Sequence, residues 1–136
     1  MRAGEIASLL WSDVERSRRF LRVTGVAPGC GKTQAARREV PLSSEALRII
    51  EQLHQARDGD SVFRLAAASI DALFRKARDK AGVVGLTFHD SRHLAITRLA
   101  KRLDVLPLAR MIGHRDLKML MVYYNPRAED LAGDLG

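Results

Sequence analysis

Thr87-Phe88-His89-Asp90-Ser91-Arg92-His93-Leu94-Ala95-Ile96 is the stretch on which the reading of this chain turns. As a helix beginning near Thr87 it places His89, Arg92, His93 and Ile96 at i, i+3, i+4 and i+7, so His89 and Arg92 share a face. Downstream, Pro107 suits the first turn of a short helix and Gly113 its C-terminal cap, which leaves His114 just past the helix end. Leu117 to Tyr124 is apolar and predicted helical, and Asn125-Pro126 breaks it.

Upstream, a helix is predicted from about Ser69 with Ile70, Leu73, Phe74 and Ala77 inward and Gly82 as its stop. Another is capped by Ser43 and Ser44, puts Ala46, Ile49, Ile50 and Leu53 on one face and stops near Gly59. Phe20 to Thr24 alternates like a strand, and Arg38 to Leu42 is a second extended run. The Gly, Pro and Ala rich stretch from Gly25 to Ala36 between them reads as the tip of a β-hairpin, carrying Lys32. Gly4 to Asp13 reads as a helix with Ile6, Leu9 and Leu10 buried, starting with no cap residue before it. The expected fold class is α+β, mostly helical, with one small antiparallel hairpin or sheet near the N-terminus.

The length of 136 residues suits a single domain, 1–136, or a fragment of one. With 46% hydrophobic and 29% charged residues the chain is expected to fold. The 23 Lys and Arg against 16 Asp and Glu give a formal net charge of +7, which favours a polyanionic partner through release of its counterions. A lone cysteine, Cys30, excludes an intrachain disulfide and a Cys-rich zinc site. No run approaches the roughly 20 apolar residues of a membrane span, so a soluble, cytoplasmic protein with no membrane partner is expected.

His89-Asp90-Ser91-Arg92-His93, Gly113-His114, and Tyr123 nine residues after His114 suit one chemical task. A tyrosine oxygen attacks a phosphodiester whose charge is held by Arg and His donors. Arg presents a planar fork of donors to a phosphate and keeps its proton. Arg92 beside His89 supplies one such clamp, and Arg2 supplies a second if its helix packs close. A phenol becomes a competent nucleophile when a base or nearby cations favour its phenolate. Composition leaves both Tyr123 and Tyr124 open.

The order Arg2, Lys32, His89-x-x-Arg92, Gly113-His114, Tyr123 resembles the catalytic domain of the tyrosine recombinases, or phage-type integrases. Three blocks carry the likeness: Met1 to Asp13, Arg38-Glu39-Val40-Pro41-Leu42-Ser43, and Met111-Ile112-Gly113-His114 through Tyr123. The resemblance selects Tyr123 as the nucleophile, forming a 3′-phosphotyrosine link and releasing a 5′ hydroxyl. It implies that Arg2 and Arg92 bind the scissile phosphate and His89 assists as base or donor. His114 would hydrogen-bond the phosphate, and Lys32 would protonate the leaving oxygen. Neither cofactor nor metal is implied. The partner is double-stranded DNA, engaged by a homotetramer of the intact, bacterial or phage-encoded protein; the fragment alone is expected to be monomeric. In the family, further helices and a DNA-clasping domain precede the first arginine, so a truncated catalytic domain is expected. Leu120 and Val122 depart from the small polar or basic residues often found there.

Besides a generic basic helical domain with no catalysis, two other readings compete. One is a DNA-binding remnant of an integrase without activity. The other is a nucleotide-binding protein, because Val26-Ala27-Pro28-Gly29-Cys30-Gly31-Lys32-Thr33 nearly matches Gly-x-x-x-x-Gly-Lys-Thr. Val26 stands where that motif has its first Gly, and Pro41 would cut short the helix it needs. A hairpin tip is the reading retained.

Overall fold

The computed structural model describes residues 1–24, 37–114, 118–124, 128, 129 and 132, and among them the predicted α+β architecture is present. The expected hairpin tip, with Cys30, Lys32 and the loop-like stretch 26–33, lies outside the described residues. Among the described residues the helices α1 (Ala3–Ala7), α2 (Ser44–Gln55), α3 (Ala67–Lys80), α4 (Phe88–Ala100), α5 (Val105–Ile112) and α6 (Lys118–Met121) accompany one antiparallel sheet. The sheet has three strands in the order β1 (Val14–Glu15), β2 (Phe20–Val23), β3 (Arg38–Pro41), one more than the hairpin expected. Leu21 is the pivot of the register, opposite Val14 on one side and Val40 on the other.

Two apolar cores form. Leu9, Trp11, Leu21, Ile50 and Val62 build the first, under the sheet and α2. Ile96, Leu108, Ala109, Ile112 and Leu120 build the second, between α4, α5 and α6. Leu108 and Leu120 are wholly enclosed there. Burial of Leu120 explains why a small polar residue is not needed at that position: the side chain serves the core. On the outer face of β2, Phe20 is covered by the guanidinium groups of Arg18 and Arg22, 5.1 and 5.2 Å from the ring centre.

Several expected boundaries shift, each for a local reason. The first helix ends at Ala7, because Leu9 and Trp11 leave the helical path to pair with a later segment. The Val62 N–H donates to the Leu9 carbonyl and the Trp11 N–H to the Asp60 carbonyl. Leu9 is therefore buried as expected, while Leu10 turns outward and is exposed. This helix is also capped after all, by its own acid: the Glu5 carboxylate accepts the Arg2 N–H at 2.7 Å. Helix α2 begins as expected, with the Ser43 hydroxyl accepting the Ala46 N–H at 3.2 Å, but it ends at Gln55, ahead of Gly59. Ile50 is its buried residue and Ile49 is exposed.

Helix α3 was expected to bury Leu73 and Ala77, and both are exposed. It packs along a narrow edge against α1 and α4, so of the four residues expected inward only Ile70 and Phe74 are half-covered, Phe74 meeting Phe88 edge to face at 5.6 Å. Gly113, at φ +73, caps α5 in the left-handed conformation as expected.

Helix α4 is set by a reciprocal cap. The Thr87 hydroxyl accepts the Asp90 N–H at 3.2 Å, and the Asp90 carboxylate accepts the Thr87 N–H at 2.7 Å. Thr87→Ala is expected to cost about 1 kcal/mol of folding free energy, read from the urea unfolding midpoint at unchanged slope.

Candidate active site

Arg92 is the centre of the site, and its position follows from α4 packing on α5. Ile96, one turn further on, is buried in the second core, which draws the same face of α4 inward and takes Arg92 with it. A buried guanidinium needs acceptors. Its Nη2 donates to the Ile112 carbonyl at 2.9 Å, one of the open carbonyls in the last turn of α5, where the helix dipole favours a cation. Burial, and then the positive charges of Arg2 and Arg38, lower its pKa, while Glu5 and Tyr123 act in the opposite sense. Even so lowered, an arginine keeps its proton at neutral pH.

Arg2, at the N-terminal edge of α1, lines the same cleft as His89 and Arg92, a space of about 150 Å³ closed on other sides by Asp71 and Phe88. The Arg2 side chain is half exposed and its Nη1 lies 3.7 Å from Glu5 Oε1. Three residues expected to serve one phosphate, with Arg2 87 positions from His89 and 90 from Arg92, thus meet at one opening. Two guanidiniums and an imidazole around a small cleft give a strongly anion-seeking surface.

What holds this cleft was missed in the sequence. Glu5 and Arg38 form a buried ion pair: Arg38 Nη1 donates to Glu5 Oε1 at 3.0 Å and Nη2 to Oε2 at 2.9 Å, while Arg38 Nε donates to the Met111 carbonyl at 2.9 Å. Burial would raise the Glu5 pKa, but hydrogen bonds from Arg38 and from the Arg2 N–H outweigh it and hold the carboxyl below its ordinary value. One arginine therefore ties α1, β3 and the end of α5 together. A Cβ on Gly113 would sit 3.2 Å from the Arg38 side chain, so a larger residue there would crowd that arginine as well as strain the backbone at φ +73. The available signal was the carboxylate three residues after Arg2 and the second arginine of Arg37-Arg38, ahead of Glu39-Val40-Pro41.

Tyr123 follows α6 and is half-buried against the second core. Its hydroxyl lies 2.8 Å from Nδ1 of His93, an exposed residue on α4 directly after Arg92. The sequence placed His93 on this helix without giving it a task. The His93 ring meets the His89 ring edge to face at 4.8 Å, so the two histidines join the cleft to the phenol. Tyr124 points the other way, donating its hydroxyl to the Leu103 carbonyl. Burial, then the Asp104 charge, raise the Tyr124 pKa, which disfavours its phenolate. His114 leaves the end of α5 half-buried, its N–H donating to the Ala109 carbonyl at 3.1 Å. Arg92 and Arg38, bonded to Ile112 and Met111, fix the turn from which it departs. Lys32 lies outside the described residues.

No helix among the described residues is long and apolar enough to cross a membrane. In sequence, a Haemophilus influenzae protein of the integrase/recombinase group is 38% identical over 134 residues, 97% of this chain and 42% of that protein. The shufflon-specific DNA recombinase of Escherichia coli is 32% identical over 137 residues, 99% of this chain and 34% of its own. The chain thus spans well under half the length of these relatives. Among solved structures, the Tn1549 transposon integrase in complex with a circular intermediate DNA superposes with a TM-score of 0.81 at 20% identity, over 99% of this chain and 54% of that one. The XerA recombinase gives 0.74 at 23% identity, over 98% and 51%. These structures share the fold. With the profile of the phage integrase family matching residues 1–130, the chain belongs to that family.

Proposed function

We propose that this chain is a single catalytic domain, residues 1–136, of a site-specific recombinase that breaks and rejoins double-stranded DNA through Tyr123. The observation that carries the reading is the sharing of one cleft by Arg2, His89 and Arg92, with the Tyr123 hydroxyl bonded to the residue that follows Arg92. In this reading the guanidiniums of Arg2 and Arg92 bind the non-bridging oxygens of the scissile phosphate and gain strength as charge builds there. Tyr123 Oη forms a bond to phosphorus while the bond from phosphorus to the 5′ oxygen breaks. The products are a 3′-phosphotyrosine link and a 5′ hydroxyl. Because a phosphodiester is exchanged for a phosphodiester, rejoining is the same step reversed and needs no outside energy.

His89 supports the phosphate from the cleft. His114 and Lys32 take their roles from the family resemblance, as a phosphate donor and as the acid for the leaving 5′ oxygen. The intact protein acts as a homotetramer on paired DNA sites, and the chain by itself is a monomer that binds DNA weakly and salt-sensitively, its net charge of +7 acting through counterion release.

The test is chemical. The intact protein is incubated with a randomised pool of nicked suicide duplexes, covalent adducts are recovered under denaturing conditions, and the modified peptide is identified by mass spectrometry. A nucleotide remnant on Tyr123 is expected. Absence of any covalent adduct sinks the proposal.

A further inference from the structure

His89 and His93 lie one turn apart on α4, yet they face different partners. His89 lines the phosphate cleft with Arg2 and Arg92. His93 has a ring nitrogen 2.8 Å from the Tyr123 hydroxyl, within the range of a good hydrogen bond to the oxygen proposed to attack. We infer that His93 is the general base of the reaction, accepting the phenolic proton at Nδ1 as Tyr123 Oη attacks phosphorus. This rests on the assignment of Tyr123 as nucleophile and adds the residue that activates it.

The geometry suits the step. In the neutral tautomer with the proton on Nε2, Nδ1 is an open acceptor and the phenol donates to it. The imidazole is exposed, so its protonated form is hydrated rather than stranded. The O–H bond of Tyr123 breaks, the proton passes to Nδ1 and the oxygen–phosphorus bond forms. The bond to the 5′ oxygen then breaks and that oxygen receives its proton from the general acid on the far side of the phosphate. On rejoining, the imidazolium returns its proton to the departing phenolate, so the full cycle consumes none. The backbone sets the position: the His93 carbonyl accepts the Thr97 hydroxyl at 3.0 Å within α4, and Arg92 beside it is locked to α5.

The groups facing His93 are His89 at 4.8 Å and Asp90 on its own helix, and Tyr123 from beyond α6. The decisive experiment measures adduct formation by the intact protein on a duplex it selects from a randomised pool, and on the same duplex with sulfur replacing the bridging 5′ oxygen. Sulfur leaves without needing a proton, so it relieves a missing acid and not a missing base. His93→Ala is expected to slow adduct formation by about 10²-fold on both duplexes. His93→Gln, whose amide can hold the hydroxyl without taking its proton, is expected to be as slow. The Ala variant should regain rate with rising pH as phenolate forms unaided.

A wild-type rate in His93→Ala, rescue by sulfur, or full rescue by Gln would each overturn the inference. An adduct that survives Tyr123→Phe would instead overturn the recombinase reading beneath it. A second readout needs no DNA. In the protein labelled with carbon-13 at the tyrosine ring, the Tyr123 resonance should follow the titration of a histidine, and this inflection should vanish in His93→Ala. Its absence from the wild type would also overturn the inference.

Discussion

Tyr123→Phe is expected to abolish the covalent DNA adduct, whereas Tyr124→Phe keeps it. The two residues are adjacent and chemically identical, so the difference has to come from where the chain leads them. After α6 the backbone turns through bonds from the Tyr123 N–H to the Leu120 carbonyl and from the Tyr124 N–H to the Met121 carbonyl. This sends the first hydroxyl to His93 and the second to the Leu103 carbonyl. Tyr123 Oη therefore stands beside α4 and its arginine, while Tyr124 Oη is committed to a backbone acceptor between α4 and α5. Removing the Tyr123 oxygen removes the atom that bonds to phosphorus, and no neighbouring group replaces it.

Removing the Tyr124 oxygen leaves the Leu103 carbonyl short of a partner, which costs about 0.5–1.5 kcal/mol of stability. The pair of variants thus separates chemistry from folding. Suicide-substrate trapping by the intact protein reads the first, and thermal unfolding reads the second. Adduct retained in Tyr123→Phe and lost in Tyr124→Phe would reverse the assignment.

The parts of this molecule legible in the sequence are those governed by local rules. The periodicity of Ile96 and its neighbours, the serine before α2 and the glycine after α5 each act within a turn of the chain, and each is found where expected. Arg2, His89 and Arg92 were named from residue type and family-like order, and they share a cleft. The misses are long-range. Nothing near Leu10 announces that residues 9–11 pair with residues 60–62, so the helical spacing of Ile6, Leu9 and Leu10 overstates the length of the first helix. Leu73 repeats at helical spacing in α3, but a helix that rests on its neighbours by one edge leaves much of that spacing in solvent. Glu5 and Arg38 are 33 residues apart and read as ordinary surface charges until the fold buries them together. His93 was visible on its helix face, and its task depended on where Tyr123 would arrive.

That buried pair sets the other large effect. Glu5→Gln is expected to destabilise the domain by about 3–5 kcal/mol, because it leaves the Arg38 guanidinium enclosed beside a neutral amide. Set against a total of about 5–15 kcal/mol for an ordinary domain, this brings the variant close to unfolding at ambient temperature. Arg38→Met should cost less in charge, since Glu5 keeps the Arg2 N–H at 2.7 Å, but it also frees the Met111 carbonyl at the end of α5. The double variant Glu5→Leu, Arg38→Met removes both charges and should recover much of the loss, so the two single effects do not add.

The acid dependence has a definite sign. The folded pKa of Glu5 lies below its unfolded value, so its contribution is complete above the unfolded value and is lost as pH falls through the folded one. The stability gap between wild type and Glu5→Gln should accordingly be constant near neutrality and narrow in acid, as read from urea midpoints across pH. A gap that widened in acid, or a Glu5→Gln variant as stable as wild type at neutral pH, would show that the pair does not hold α1, β3 and α5 together. The consequence reaches function, since Arg2 caps α1 and α5 anchors Arg92: breaking the pair by one partner alone is expected to loosen the cleft that would bind the phosphate.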